Sequence, residues 1–171
     1  MIQLALARGL FRGIHPLSPT FSRKRIYALT HLLSAGGNLV ISMSALDYVE
    51  DFNKVCFEVN RVLKCGGRFV FCATHPIMLC VDPSEFPEEN APPNYDYRGP
   101  ITWKWHKEDD FVFTTYRRPL SDYVNALGRN DLYIKRMEEL FPITDNFYSE
   151  KDRAVRTRFP TVLVVDAVKQ N

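Results

Sequence analysis

The chain has 171 residues, of which 46% are hydrophobic and 13% aromatic, and this composition is sufficient for one domain with a single core. Its 22 Lys and Arg residues nearly balance 20 Asp and Glu residues, so the net charge is +2. This small charge argues against a nucleic-acid partner, and no apolar run approaches the roughly 20 residues that cross a bilayer. We therefore expect neither nucleic-acid binding nor a membrane span.

The N-terminal part of the chain differs in charge from the rest. Residues 1–46 contain no acidic residue, and their basic residues are Arg8, Arg12, Arg23, Lys24 and Arg25. A basic, acid-free start is typical of mitochondrial or plastid transit peptides, but it also fits a basic surface helix or a poorly ordered terminus. No secretory signal is evident, so we expect a cytoplasmic protein, with an organellar location as the alternative. We place a boundary after residue 37.

The cysteines and histidines do not form a metal-binding pattern. No two of Cys56, Cys65, Cys72 and Cys80 have the C-x-x-C spacing, and the four histidines are isolated from one another. Cys56 and Cys72 fall on apolar faces, as buried thiols do. We therefore predict no metal site.

A strand, a helix and a second strand are predicted after the Gly36-Gly37 pair. Residues 39–43 form a short apolar run, and residues 68–73 form another. Between them, one helical face is apolar while the opposite face is polar. The apolar positions are Phe52, Val55, Cys56, Val59, Val62 and Leu63. Asp51 is expected to cap this helix and Gly66 to end it in a left-handed conformation.

This order defines a βαβ unit with parallel strands and a right-handed crossover. Ligands of such sheets bind beyond the carboxyl ends of the strands. Residues 42–46 and 74–77 are therefore the positions where we expect a binding site.

The remaining elements are predicted from turn residues and periodicity. Residues 76–100 are rich in proline, and residues 101–118 alternate as a β-hairpin does. A short helix capped by Ser121 follows, then a strand over residues 132–140. A polar loop with Arg153, Arg156 and Arg158 leads to a final apolar strand over residues 161–169.

Residues 38–76, "NLVISMSALDYVEDFNKVCFEVNRVLKCGGRFVFCATHP", carry a family likeness. They resemble the second half of class I S-adenosylmethionine-dependent methyltransferases of the small-molecule, type 11-like group. In that family, strand four precedes a helix that ends in R-V-L-K-P-G-G, and strand five follows at once. This chain departs from the pattern at four positions, which are Asn38, Asp47, Cys65 and Asp131.

The resemblance implies an α/β, Rossmann-like sheet that is incomplete, comprising strands four to seven. Residues 38–171 would form the C-terminal part of a methyltransferase domain, with a β-hairpin insert over residues 76–119. The family holds its cofactor mainly through an upstream G-x-G-x-G turn and acidic residues. Residues 1–37 show neither feature, so we expect this segment not to match the family.

The resemblance also assigns candidate site residues. Cofactor-binding positions at the end of strand four would be Ser42, Met43, Ser44 and Ala45. His75 would serve as a general base or orient a substrate oxygen, although a capping or packing role is the alternative. Substrate-binding positions in the insert would be Tyr95, Tyr97, Trp103, Tyr116 and Arg117.

Two functions remain open at this stage. The first is methyl transfer from S-adenosylmethionine to a small-molecule substrate by a truncated family member. The second is a non-catalytic fragment or pseudoenzyme that acts through a protein partner. Loss of neighbouring strands would expose the edge of strand four, so a partner or a second copy of the chain is expected to cover it.

Overall fold

The computed structural model describes residues 4–6, 36–81, 94–105, 111–142 and 150–170. In chain order, the elements are β1 (Leu4–Leu6), β2 (Gly37–Met43), a 3₁₀ turn (Leu46–Tyr48), α1 (Phe52–Val62), β3 (Leu63–Thr74), α2 (Met78–Val81), β4 (Gly99–Trp105), β5 (Phe111–Arg117), α3 (Leu120–Arg129), β6 (Leu132–Leu140), α4 (Glu150–Arg156) and β7 (Val162–Lys169). The order of helices and strands is that of a mixed α/β protein.

The main sheet has the strand order β1-β2-β3-β7-β6. β1, β2 and β3 are parallel neighbours, whereas β7 runs antiparallel to both β3 and β6. Because β6 and β3 both oppose β7, their carboxyl ends lie at the same edge of the sheet. The predicted βαβ unit and the predicted hairpin, formed by β4 and β5, are confirmed.

Helix α1 packs its apolar face against the sheet, as the periodicity predicts. Its buried residues are Phe52, Val55, Cys56, Val59 and Val62. At its start, the side chain of Asp51 accepts a hydrogen bond from Lys54 N at 2.9 Å, which confirms the predicted cap. Across the core, Phe52 contacts Phe71 of β3 and Tyr123 of α3 with ring centroids 5.6 and 4.9 Å apart. These rings join both helices to one face of the sheet.

The helix-to-strand step is shorter than predicted. α1 ends at Val62, and Leu63 is already extended and pairs with Gly37 of β2. Gly66 is left-handed, with φ of +73°, but it lies within a bulge of β3 instead of ending the helix. A Cβ on Gly67 would lie 2.7 Å from Lys64 O and 2.9 Å from Gly37 O. The second glycine therefore permits the close approach of β2 and β3.

Three further elements differ from the sequence prediction. The N-cap of α3 is Pro119 instead of Ser121, and no side chain caps this helix. α4 occupies a stretch that was predicted as a loop because the sequence there is polar and lacks an apolar face. Arg153 and Arg156 in its last turn interact favourably with the negative end of the helix dipole. β1 is too short for alternation to reveal it. β1 lies within residues 1–37, the segment expected not to match the family, and it pairs with Leu39–Ile41 of β2.

In the described ranges, no helix has both the length and the apolar character needed to cross a bilayer.

The glycine step generates a paired stability prediction. Gly67→Ala is expected to lower the free energy of unfolding by about 1 to 3 kcal/mol, because two carbonyl oxygens and Leu63 must move. Gly128→Ala is the matched control, since its Cβ meets nothing within 4 Å and it lies in α3. This control is expected to gain about 0.5 to 1 kcal/mol from helix propensity. Urea unfolding measures both, and equal effects of the two substitutions would contradict the packing argument.

Candidate functional site

The carboxyl end of β2 is the first component of the site. Met43 is 66% exposed, and Ser44 follows it with a positive φ of 49°. Ser44 N donates to Cys72 O at 3.1 Å, while Ser44 Oγ lies 3.6 Å from Cys72 Sγ. The strand end is thus held against β3 while the side chain of Met43 faces outward.

Asp47 ties the turn after β2 to the end of β3. Its Oδ2 accepts hydrogen bonds from both Thr74 N and Thr74 Oγ1, each at 3.1 Å. Burial raises the pKa of Asp47, and the opposing effects of the Thr74 hydrogen bonds and of Arg118 are smaller. The sequence marked Asp47 only as a departure from the family pattern, so its bonding role was not anticipated.

Arg118 is a buried cation beneath the same turn. It donates to the backbone carbonyls of Leu46, at 3.0 Å, and of Val49. Its guanidinium carbon also lies 5.6 Å from the ring centroid of Phe52 and 5.4 Å from that of Tyr123. Carbonyl oxygens and aromatic faces therefore surround this charge, and both stabilise a cation.

The pKa of Tyr123 reflects the low polarity of this region. Burial raises the pKa of its hydroxyl to about 12, with smaller effects from Arg118, which lowers it, and Asp47, which raises it. Cys56 on α1 behaves similarly, since burial raises the pKa of its thiol to about 12. Both groups stay neutral at physiological pH and act as packing residues.

His75 follows β3 and joins three strands at the carboxyl edge. Its backbone N donates to Thr161 O at 3.0 Å, and its Nδ1 accepts from Ile77 N at 3.1 Å. Nε2 lies 2.8 Å from Glu139 Oε1 of β6. Because Nδ1 accepts a hydrogen bond, the ring proton is on Nε2, which donates a hydrogen bond to the carboxylate of Glu139. Both ring nitrogens are therefore engaged within the protein.

The hairpin lies next to the turn after β2. Phe113 of β5 contacts Tyr48 with ring centroids 6.2 Å apart. Arg117 at the end of β5 is buried and donates from Nη2 to Pro76 O at 3.3 Å and towards Cys80 Sγ at 2.7 Å. The hairpin is thus anchored to the segment that follows His75.

Comparisons with solved structures agree with this fold. A candidate S-adenosylmethionine-dependent methyltransferase from Listeria monocytogenes is 25% identical, with a TM-score of 0.63 over 81% of this chain. An S-adenosylmethionine-dependent methyltransferase from Mesorhizobium loti is 28% identical, with a TM-score of 0.59 over 80% of this chain. The chain has the class I S-adenosylmethionine-dependent methyltransferase fold.

The coverage of these relatives is partial. The matched part is 63% of each of the two methyltransferase structures. A curated relative, an uncharacterized protein from Haemophilus influenzae, is 26% identical over 122 residues, which is 67% of this chain and 47% of that protein. No protein-family model matches the chain.

Within the methyltransferase fold, the predicted site residues fall into two groups. Met43 and Ser44 lie at the end of β2, next to Cys72. Arg117 is buried, and its Nη2 donates to the carbonyl of Pro76, the residue that follows His75, and towards Cys80 Sγ.

The hydrogen bonds of the other predicted residues of the insert are to residues outside the strand ends. Tyr95 Oη accepts from Leu120 N at 3.2 Å, and Tyr97 Oη donates to Pro100 O at 3.2 Å. Tyr116 is half-buried, and the side chain of Trp103 lies outside the described part of the chain. Of the predicted substrate positions, Tyr95 and Tyr97 are exposed.

Asp47 predicts a specific pH dependence of stability. A raised pKa means that the folded protein binds more protons than the unfolded chain between the ordinary value of 3.8 and the higher folded value, so stability falls as pH rises through that window. Asp47→Asn removes the ionisation while its Oδ1 still accepts from Thr74. We expect Asp47→Asn to gain stability relative to wild type as pH rises from below that window to neutrality.

Urea unfolding at both ends of the pH range measures this difference. Asp47→Ala serves as the control, since it removes the acceptor for both Thr74 donors and should be destabilised at every pH. A constant difference between wild type and Asp47→Asn across the window would refute the assigned direction of the pKa.

The buried position of Arg118 predicts that its replacement is costly. Arg118→Lys keeps the charge but loses the planar donor arrangement that serves two carbonyls, so we expect a loss of about 2 to 4 kcal/mol in unfolding free energy. Arg68→Lys is the matched control, because Arg68 is exposed and pairs with Asp166 on the surface of the sheet. It is expected to change stability little. Thermal or urea unfolding distinguishes them, and comparable losses would contradict the role of burial.

Proposed function

We propose that the carboxyl edge of this sheet binds S-adenosylmethionine and that the chain is part of a methyltransferase for a small molecule. The observation that carries the proposal is the exposed end of β2, next to strand-end residues that are already bonded to one another. S-adenosylmethionine supplies a methyl group on a sulfonium centre, which a correctly oriented nucleophile accepts. The likeness in fold to the two methyltransferase structures supports this reaction class.

The residues proposed to contact the cofactor are those at the end of β2. The two donors of Thr74 and both ring nitrogens of His75 already form hydrogen bonds within the protein. The proposed cofactor contacts therefore do not include them. Met43 and Ser44 are exposed, and Ala45 begins the 3₁₀ turn. Ser42 and Met43 are the last two paired residues of β2, opposite Phe71 and Cys72 of β3. These four residues fit a surface that lies along the methionine part of the cofactor.

His75 is proposed to be a positioning residue in this reaction. Its hydrogen bond to Glu139 and its backbone bond to Thr161 hold the segment that leads into the insert. The insert would supply the substrate contacts, with Tyr95 and Tyr97 as its exposed aromatic residues. Aromatic rings with polar tips suit a small organic substrate.

A cofactor titration tests the proposal. We expect calorimetry with S-adenosylmethionine to detect binding to the wild-type chain that is weaker than micromolar, because residues 1–37 lack the glycine-rich turn and acidic residues of the family. Ala45→Phe adds a ring at the proposed contact surface and is expected to weaken binding at least about tenfold, which corresponds to about 1.4 kcal/mol. Val124→Phe is the control, because Val124 is a partly exposed residue on α3.

The outcomes separate the candidate functions. Loss of binding in Ala45→Phe but not in Val124→Phe supports the proposed site. No heat change in the wild type up to millimolar cofactor would overturn autonomous cofactor binding by this chain.

A second candidate, a non-catalytic protein that works through a partner or a second copy, is favoured by one observation. β2 has seven residues, and in the described part of the chain β1 pairs with three of them, Leu39–Ile41. Ser42 and Met43 pair with β3 on one side of β2, and the other edge of a strand can accept a further strand. Light scattering over a range of concentrations tests for a second copy, and a strictly monomeric chain that binds cofactor would exclude this candidate.

A further inference from the structure

A cleft of about 320 Å³ lies between the first turn of α1 and one side of α3. The residues that line it are Phe52, Asn53, Arg98, Arg118, Asp122, Asn125, Ala126 and Arg129. None of these residues belongs to the strand ends proposed to bind the cofactor. The cleft is therefore a separate candidate site on the helical layer.

The cleft carries an excess of positive charge. Among the described residues, three guanidinium groups line it, from Arg98, Arg118 and Arg129, against one carboxylate, that of Asp122. Arg98 forms a two-point ion pair with Asp122, with Nε–Oδ2 and Nη2–Oδ1 distances of 2.8 and 3.1 Å. Three positive charges minus one negative charge leave a lining charge of +2.

The guanidinium groups differ in what they can offer a ligand. Arg118 is 8% exposed and donates to carbonyls of the 3₁₀ turn region, so it contributes charge at the floor of the cleft. Arg98 is held in place by Asp122 and by Asp96 O, which accepts from its Nη1 at 2.9 Å. Arg129 extends from the last turn of α3 and is exposed. The amide side chains of Asn53 and Asn125 add neutral polar groups.

We propose that this cleft binds a small phosphate monoester. A phosphate monoester carries about −1.5 to −2 charges near neutral pH, which matches the lining charge better than a monoanionic carboxylate does. Guanidinium groups bind phosphate oxygens through paired N–H donors. The volume exceeds that needed for a phosphate group alone, so a small organic group would pack against Phe52 and Ala126.

Phenyl phosphate is a suitable probe, and the wild-type chain is titrated with it by calorimetry. Arg129→Gln is expected to weaken binding about tenfold, because one charge-assisted contact is lost. Asp122→Asn is expected to tighten binding, because it removes the one carboxylate that lines the cleft in the described part of the chain. Opposite effects of two substitutions on the same helix are difficult to explain by a change in stability. Higher salt should weaken binding in every variant.

Lys135→Gln provides the matched control for Arg129→Gln. It makes the same change in net charge at an exposed position of β6, and it should leave the affinity unchanged. Phenol, which lacks the phosphate, should bind far more weakly than phenyl phosphate.

Three results would overturn the proposal. They are no binding of phenyl phosphate at about 10 mM, equal losses in Arg129→Gln and Lys135→Gln, or weaker binding in Asp122→Asn. The titration contains no S-adenosylmethionine, so a failure of the proposed cofactor site would not affect its result.

Discussion

The packing of both helices against the turn after β2 depends on the buried guanidinium of Arg118. Burial of a cation in an apolar core is unfavourable unless polar groups replace the lost water. Here the replacement comes from the carbonyls of Leu46 and Val49 and from the rings of Phe52 and Tyr123. The turn after β2, helix α1 and helix α3 therefore meet at a single side chain. Its position determines where the chain leaves the carboxyl end of β2.

This arrangement links the helical layer to the strand ends. The turn held by Arg118 carries Asp47, whose carboxylate binds the end of β3 through Thr74. From the next residue, His75, bonds continue to Thr161 and to Glu139 of β6. A continuous set of hydrogen bonds thus crosses the carboxyl edge. The exposed residues Met43 and Ser44 lie beside this set, which explains why a ligand would find an ordered but accessible surface there.

Much of the fold could be predicted from sequence because it depends on local patterns. The apolar face of α1 and the cap at Asp51 are encoded within a few residues, and so is the alternation of the hairpin. The end of α1 was mispredicted because Leu63 pairs with Gly37, and this strand pairing replaces a helical turn that the local sequence favours. Polar α4 and short β1 carry no period that separates them from loops.

The site was less predictable because its bonds join distant parts of the chain. Arg118 lies next to Arg117, which the family resemblance favoured as a substrate residue, and no local pattern distinguishes the two. Both are buried, but Arg117 bonds to the segment after β3 and Arg118 to the turn after β2. A buried arginine pair can be identified only when its carbonyl acceptors are known. Those acceptors are contributed by residues far away in sequence.

Electrostatics provides a physical connection between the cleft and the carboxyl edge. Arg118 lines the cleft, and its positive charge also lowers the pKa of Asp47, in opposition to burial. The same guanidinium holds the turn after β2, and that turn carries Asp47, which bonds the end of β3 through Thr74. An anion in the cleft would therefore act on the side chain that holds the strand-end turn, and this connects the two proposed sites physically.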